Sequence, residues 1–245
     1  MKQTQINQKI EKSGLVSGGQ SDVHPHLDRI VNRHLNSTWL QPLHKPSMNA
    51  YHLLQNEGIF ISGQPFILDS GCGTGKSTLE LSGLFPRHTV IGVDQSSARL
   101  ARGGATSALY RRGNCILLRA ELTTLWRMLV KDSLSPDKHF LLYPNPWPKP
   151  AHLQRRWHGH PVFPQLLSLG GEVEMRCNWR IYAMEFALAI EQATGSSVAV
   201  KDFEPESGIS LFEQKYLERG QRLYMVTVAE KHTAAFNVSR TSVDQ

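Results

Sequence analysis

The stretch from Phe66 to Thr78 reads F-I-L-D-S-G-C-G-T-G-K-S-T, and few folds can contain it. An apolar run ends in an acid, Asp69, and glycines follow at Gly71, Gly73 and Gly75. Glycine takes positive φ without steric cost and lets a ligand touch the backbone. A helix that opens behind such a turn offers unpaired N–H groups. The pattern is therefore the first strand, ligand-facing turn and first helix of an open α/β sheet.

Two ligand classes compete for that turn. A phosphate-binding loop, G-x-x-x-x-G-K-[ST], fits Gly75-Lys76-Ser77, but its first glycine falls at Ser70, and no later strand offers a convincing acid for Mg²⁺. An adenosine-type cofactor needs instead an acid at the end of the second strand. Thr89–Asp94 supplies it, with Asp94 nineteen positions past Gly75. A carboxylate there can accept both ribose hydroxyls. A purely structural glycine turn is the third reading. The turn together with Asp94 favours the cofactor, and D-x-G-C-G-T-G with a later V-D resembles motifs I and II of class I S-adenosylmethionine methyltransferases.

The rest of the chain alternates strands and helices. Strands are expected at 66–70, 89–93, 115–119, 139–143 and 172–175, with helices near 77–85, 96–109, 122–130 and 182–193. Two late strands, 197–202 and 223–229, look antiparallel. The expected fold is a Rossmann-like, doubly wound, mainly parallel sheet with a late antiparallel strand. Right-handed crossovers then bring Asp69, Asp94, Glu121 and Tyr143 to one crevice. Residues 1–20 are expected as a mobile tail, 21–60 as a helical extension packed on the sheet, 61–231 as the catalytic domain and 232–245 as a frayed tail. Within the extension, Leu27, Ile30, Val31 and Leu35 recur at helical spacing, and a second helix is expected from Ser47 to Asn56.

Composition narrows the partners. The net charge of +6, eleven histidines and a pI of about 9.3 favour a polyanion. Cys72, Cys115 and Cys177 form no C-x-x-C pair and read as free thiols of a reducing compartment. The histidines of the extension lack the spacing of a ligand set, so no metal site is expected. No apolar run is long enough to cross a membrane, and residues 1–20 lack a signal-peptide core, so the cytoplasm is expected. A monomer is expected.

Tyr143 to Pro150 reads Y-P-N-P-W-P-K-P after the fourth parallel strand. Its prolines exclude strand and helix alike. The result is an irregular loop presenting Asn145, Trp147 and Lys149, followed by His152, Arg155, Arg156, Trp157, His158 and His160. Cations interleaved with aromatics suit RNA, with charge for phosphates and rings for splayed bases. Here the chain resembles the tRNA (guanine-N7-)-methyltransferase family, whose loop reads P-D-P-W-P-K-x-x-H-x-x-R-R. Pro144-Asn145-Pro146-Trp147-Pro148-Lys149, His152 and Arg155-Arg156 stand in that register. Gly170-Gly171 leads to Cys177-Asn178-Trp179 and Tyr182 where the family has T-D-W-x-x-Y, and Ser210-Leu211-Phe212-Glu213 matches its T-x-F-E.

The resemblance implies S-adenosylmethionine as cofactor and tRNA as substrate. It places Asp69 near the cofactor's amino-acid end, Asp94 at the ribose and Ala120-Glu121 near the adenine, with Gly71, Gly73, Gly75 and Gln95 also at the cofactor. It places Lys149, His152, Asn178, Ser210, Phe212 and Glu213 at the substrate pocket, Arg155-Arg156 against tRNA, and Asn145 at an active-site aspartate position shared with the cofactor. Asn145 and Asn178 replace aspartates of the pattern, Cys177 and Ser210 replace threonines, and Pro150-Ala151 replace residues often basic. Two alternatives follow: methylation of an exocyclic base amine, by a likeness to N-P-P-aromatic loops that lacks one proline, or an RNA-binding relative of weak activity. Lys76, Trp39, Trp126 and Glu185 carry no expected function, and Glu185 reads as a solvated or paired surface acid.

Overall fold

The computed structural model describes Val16, residues 18–60 and residues 64–241. The extension forms α1 (Leu27–Leu35) and α2 (Lys45–Asn56). Then follow β1 (Phe66–Ser70), α3 (Lys76–Leu84), β2 (Thr89–Asp94), α4 (Ser97–Arg102), β3 (Leu109–Arg112), β4 (Cys115–Arg119), α5 (Leu122–Lys131) and β5 (Lys138–Leu142). Two short 3₁₀ turns, Pro150–Arg155 and Trp157–Gly159, precede α6 (Phe163–Ser168) and β6 (Glu172–Cys177). The chain continues with α7 (Arg180–Thr194), β7 (Val200–Phe203), α8 (Leu211–Glu218), β8 (Leu223–Val228) and α9 (Glu230–Thr241).

The eight strands form one sheet in the order β3-β4-β2-β1-β5-β6-β8-β7. β4, β2, β1, β5 and β6 run parallel, and β8 is antiparallel to β6. β1 is buried at every position, as a strand covered on both faces should be, and its apolar run Phe66-Ile67-Leu68 ends in the buried polar pair Asp69-Ser70. The chain winds outward through β2 and β4, then returns to the other side of β1 as β5. That reversal opens a crevice at the carboxyl ends of the strands, where open α/β sheets take ligands.

Three expectations change. Residues 96–109 hold a short helix, α4, that stops at the Gly103-Gly104 pair, and β3 then pairs antiparallel with β4 at the sheet edge. The tail expected to fray from 232 is helical to Thr241, because Phe236 enters the core and the Thr233 hydroxyl donates to the Gly171 carbonyl (3.0 Å). Of the tail expected to be mobile, residues 1–15 and 17 lie outside the described residues, as do 242–245 at the other end. Gly18 and Gln20 are instead packed, Gly18 against Pro148 and Gln20 against Arg156 and Glu185. The extension itself shares the sheet's core: Leu27, Val31, Ala50, Tyr51 and Leu54 are buried with Leu68, Ile91 and Phe186.

Helix α3 lies very close to β2. A Cβ on Gly92 would sit 2.0 Å from the Thr78 hydroxyl, which itself donates to Asp69 (2.8 Å). Gly92→Ala should therefore push α3 off the strand and cost about 1–3 kcal/mol, the range for overpacking a tight core. A urea melt matching the wild type would show that the helix can withdraw freely.

Candidate active site

The turn after β1 is built as its glycines require. Gly71, Gly73 and Gly75 have φ of 84°, 62° and 81°. A Cβ on Gly71 or Gly73 would meet nothing within 4 Å, so the backbone there faces open space. On Gly75 it would strike Leu117. The turn is fastened sideways: the N–H groups of Gly71 and Cys72 both donate to the Val93 carbonyl of β2 (2.8 and 3.0 Å).

Asp94 ends β2 with its carboxylate almost wholly buried. Its Oδ2 accepts from the Gly73 N–H (3.0 Å). Its Oδ1 accepts from the Ser96 N–H (2.8 Å) and the Arg99 guanidinium (2.9 Å). Asp94 thus clamps the glycine turn and still has a partner that can leave, since the Arg99 side chain is 44% exposed. Gln95 beside it is exposed. Across the crevice, Ala120 is buried at the end of β4, and its N–H reaches the Asp94 carbonyl (3.2 Å). Glu121 follows, half-buried, with its N–H bonded to Ser47 at the start of α2 (2.8 Å).

Asp69 is completely buried beneath the turn. Its Oδ2 accepts from the Ser77 and Thr78 hydroxyls at the start of α3 (2.6 and 2.8 Å), while Oδ1 is buried without a hydrogen-bond partner. Burial pushes this carboxyl up to about 6, and the two hydroxyls only partly oppose that. An unpartnered buried acceptor, open glycine backbone and a carboxylate with a displaceable cation together fit a ligand carrying an ammonium group and a ribose diol.

The loop after β5 borders the same crevice. Tyr143 and Trp147 both have positive φ, 53° and 44°, which bulky residues rarely adopt. Asn145 is exposed, and its Oδ1 accepts only a long bond from the Trp147 N–H (3.4 Å). The exposed Arg155 guanidinium stacks on the Trp147 ring at 4.8 Å, and His152 meets the same ring edge-on at 5.6 Å. Lys149 is exposed.

Arg156 departs from its expected place against RNA. Its side chain is 0% exposed, ion-paired to Glu185, which is also 0% exposed. Glu185 is thus no surface acid. Burial opposes its charge, yet the His158 hydrogen bond (2.9 Å) and the Arg156 cation hold its carboxyl down at about 2. The sequence carried a signal: an acid amid Tyr182, Ala183, Phe186 and Ile190, on a helix buried on most sides, needs a buried cation.

On the far side of the crevice, Ser210 caps α8 by accepting the Glu213 N–H (3.1 Å). Glu213 is fully buried, not open to substrate. Its carboxylate accepts from the Ile209 N–H (2.8 Å), the Tyr143 hydroxyl (2.9 Å) and Arg176 (2.9 Å). Ser-x-x-Glu is thus a helix-start signature here, close to a capping box. Its effect is to tie α8 to β5 and β6 and leave Phe212 48% exposed, stacked on Tyr216. The Asn178 amide donates to Gln221 (2.9 Å). Lys76 is held by Gln214 of α8 (2.8 Å). Among the described residues, no group of three His, Cys, Asp or Glu side chains could hold a metal ion, and no helix is long and apolar enough to cross a membrane.

Comparison with known proteins agrees with this geometry. The family model Methyltransf_4, described as "Putative methyltransferase", matches residues 63–226. A tRNA (guanine-N(7)-)-methyltransferase of Pseudomonas paraeruginosa (strain DSM 24068 / PA7) is 31% identical over 179 residues, which span 68% of this chain and 70% of that protein. One from Burkholderia pseudomallei (strain 1710b) is 25% identical over 183 residues, 72% of this chain and 68% of that protein. The crystal structure of the 16S rRNA methyltransferase KamB superposes with a TM-score of 0.51 at 18% identity, covering 78% of this chain and 95% of that one, which establishes a shared fold.

The buried Asp69 makes a pH prediction. Its folded-state value, about 6, lies above the ordinary 3.8, so the native state binds the proton more tightly than the unfolded chain. Its contribution to stability is therefore favourable at low pH and is lost as pH rises from about 4 to 6, by roughly 3 kcal/mol. Asp69→Asn keeps an acceptor for both hydroxyls and should remove that slope. Parallel wild-type and variant stability curves between pH 4 and 7 would show that Asp69 ionises as freely in the fold as outside it.

Proposed function

This chain belongs to the tRNA (guanine-N7-)-methyltransferase family, and we propose that it transfers a methyl group from S-adenosylmethionine to N7 of a guanine in tRNA. The observation that carries the reading is one edge of the sheet holding both halves of the chemistry. On one side stands the open glycine turn clamped by Asp94; on the other, the strained loop with Asn145, Trp147, Lys149 and Arg155. Residues 61–231 form the catalytic domain in this reading, and the cytoplasm is where its substrate and cofactor meet.

The cofactor supplies an electrophilic sulfonium methyl. Asp94 would hold its ribose after Arg99 swings out to water, Ala120-Glu121 would flank its adenine, and Asp69 would face its ammonium through the vacant Oδ1. Guanine N7 has an exposed lone pair and no proton, so no side chain needs to generate the nucleophile. The protein's task is alignment and exclusion of water. Asn145, bound only by a 3.4 Å contact, can turn its amide oxygen to guanine's N1–H or exocyclic amine. Such a neutral acceptor gives up the extra strength of a carboxylate. Arg155, Lys149 and the Trp147 ring would take phosphate and base beside the target, with Phe212 as a second stacking surface.

Labelled methyl transfer to unmodified tRNA, with nucleoside analysis of the product, tests this directly. A 7-methylguanosine product is expected; another methylated nucleoside would overturn the assigned atom. Asp94→Ala should weaken S-adenosylmethionine binding more than tenfold, about 1.4 kcal/mol, as titration calorimetry would show. An unchanged affinity would remove Asp94 from the ribose. Arg155→Ala should leave cofactor affinity intact, weaken tRNA binding and reduce the salt dependence by about one phosphate contact. The same variant at Arg156, which is buried, should leave that salt dependence unchanged.

A further inference from the structure

The loop from Tyr143 to Pro150 has a difficulty that its own backbone cannot solve. Pro144, Pro146, Pro148 and Pro150 have no N–H, so few internal hydrogen bonds are available to hold it. Yet it keeps two aromatic residues at positive φ. Such backbone persists only when surrounding structure over-determines it.

Tyr143 is held from β6 and α8, through its N–H to the Arg176 carbonyl (2.8 Å) and its hydroxyl to Glu213 (2.9 Å); at Trp147 the over-determining group is the buried guanidinium of Arg156. Its Nε and Nη2 donate to the Trp147 carbonyl (3.2 and 3.1 Å), and Nη2 also reaches the Lys149 carbonyl (3.4 Å). Its Nη1 is fixed by Glu185, and Nη2 donates to the Gln20 side chain (2.8 Å). The Trp179 ring lies 4.8 Å from the guanidinium carbon. Glu185 in turn accepts from His158 (2.9 Å), the Gln20 amide (2.6 Å) and the His24 N–H (2.9 Å). The N-terminal segment thus closes the cage, and Gly18 packs so tightly on Pro148 that a Cβ would lie 2.3 Å from its carbonyl oxygen.

We infer that Arg156 is a positioning residue for methyl transfer. Through the Trp147 and Lys149 carbonyls it holds the loop in the strained form that presents Asn145, Trp147 and Lys149 to the base, and Gln20 of the N-terminal segment locks it there. The inference rests on the proposed role of that loop at the substrate. It gives the N-terminal segment a place in the reaction without contact with the reacting atoms. A planar fork is needed, because two carbonyls and a carboxylate must be met at once, and a lysine ammonium in the same cage would keep the charge but lose the span.

Arg156→Lys and Gln20→Ala, in the full-length chain, test it. Both should retain cofactor affinity within twofold, since neither touches the Asp94 side of the crevice. Both should lower kcat, Arg156→Lys about tenfold or more and Gln20→Ala less; an ångström of misplacement can cost about a hundredfold. The second readout needs no activity. With 5-fluorotryptophan incorporated, the ¹⁹F resonance of Trp147, assigned by Trp147→Phe, should shift or broaden in both variants. If Arg156→Lys does not fold, Gln20→Ala decides alone. Unchanged kcat and resonance, or a joint loss of cofactor affinity and thermal stability, would overturn the positioning role. If the wild type methylates another atom, or none, the proposed reaction fails while the resonance still decides the positioning role.

Discussion

The glycine turn is tied to the neighbouring strand rather than to its own, and the crevice depends on that tie. Gly71 and Cys72 donate to Val93, and Gly73 donates to the Asp94 side chain. β1 and β2 are therefore locked at their carboxyl ends as well as along their ladder. The constraint propagates downward through Asp69, whose hydroxyl partners Ser77 and Thr78 set the start of α3, and through Gly92, whose missing side chain admits Thr78. A single cluster of short bonds thus fixes strand, turn and helix before any ligand arrives.

On the other side of the crevice the anchors are buried ions. A fully buried ion pair is poor evidence of net stability, because desolvation consumes most of the attraction. Removing one partner is another matter and costs about 3–5 kcal/mol, since the survivor is left charged and unpaired. Arg156–Glu185 fits that asymmetry in full, and Arg176–Glu213 in part, since Arg176 is 13% exposed and also paired with Glu174. Each joins segments far apart in sequence at one loop or helix bordering the site. Their contribution is the uniqueness of one arrangement: Arg156 selects one conformation of the proline loop, and Glu213 sets α8 against β5 and β6.

What was legible in the sequence was whatever local chemistry writes down. Glycine spacing gave the turn, the acid after a β-run gave Asp94, and apolar runs gave the parallel strands. What was hidden depended on partners distant in the chain. Arg155 and Arg156 are adjacent and chemically identical, yet one stacks on Trp147 in solvent and the other is fully buried against Glu185. The Ser210-x-x-Glu213 stretch read as a substrate motif and proved to be a helix start as well. β3 was lost because a run with Arg111-Arg112 has no buried face of its own and is made a strand only by pairing with β4. The C-terminal helix was lost because a polar sequence is anchored by the buried Phe236 and Thr233, whose partners lie far away in the chain.

The two asparagines at the crevice acquire a meaning from this distribution. Glu185 and Glu213 are neutralised in buried pairs, so neither opposes a polyanion at the surface. Asn145 and Asn178 add no charge where the family pattern has carboxylates, and Asn178 is engaged with another neutral amide, Gln221. What remains exposed beside the loop is Lys149 and Arg155. For the proposed reaction this would strengthen long-range attraction for RNA and weaken the charge-assisted grip on guanine. Such an exchange favours backbone affinity over base discrimination. In the proposed reaction it would also place more of the alignment on the shape of the proline loop, because an amide that holds the base less firmly depends more on being held correctly itself.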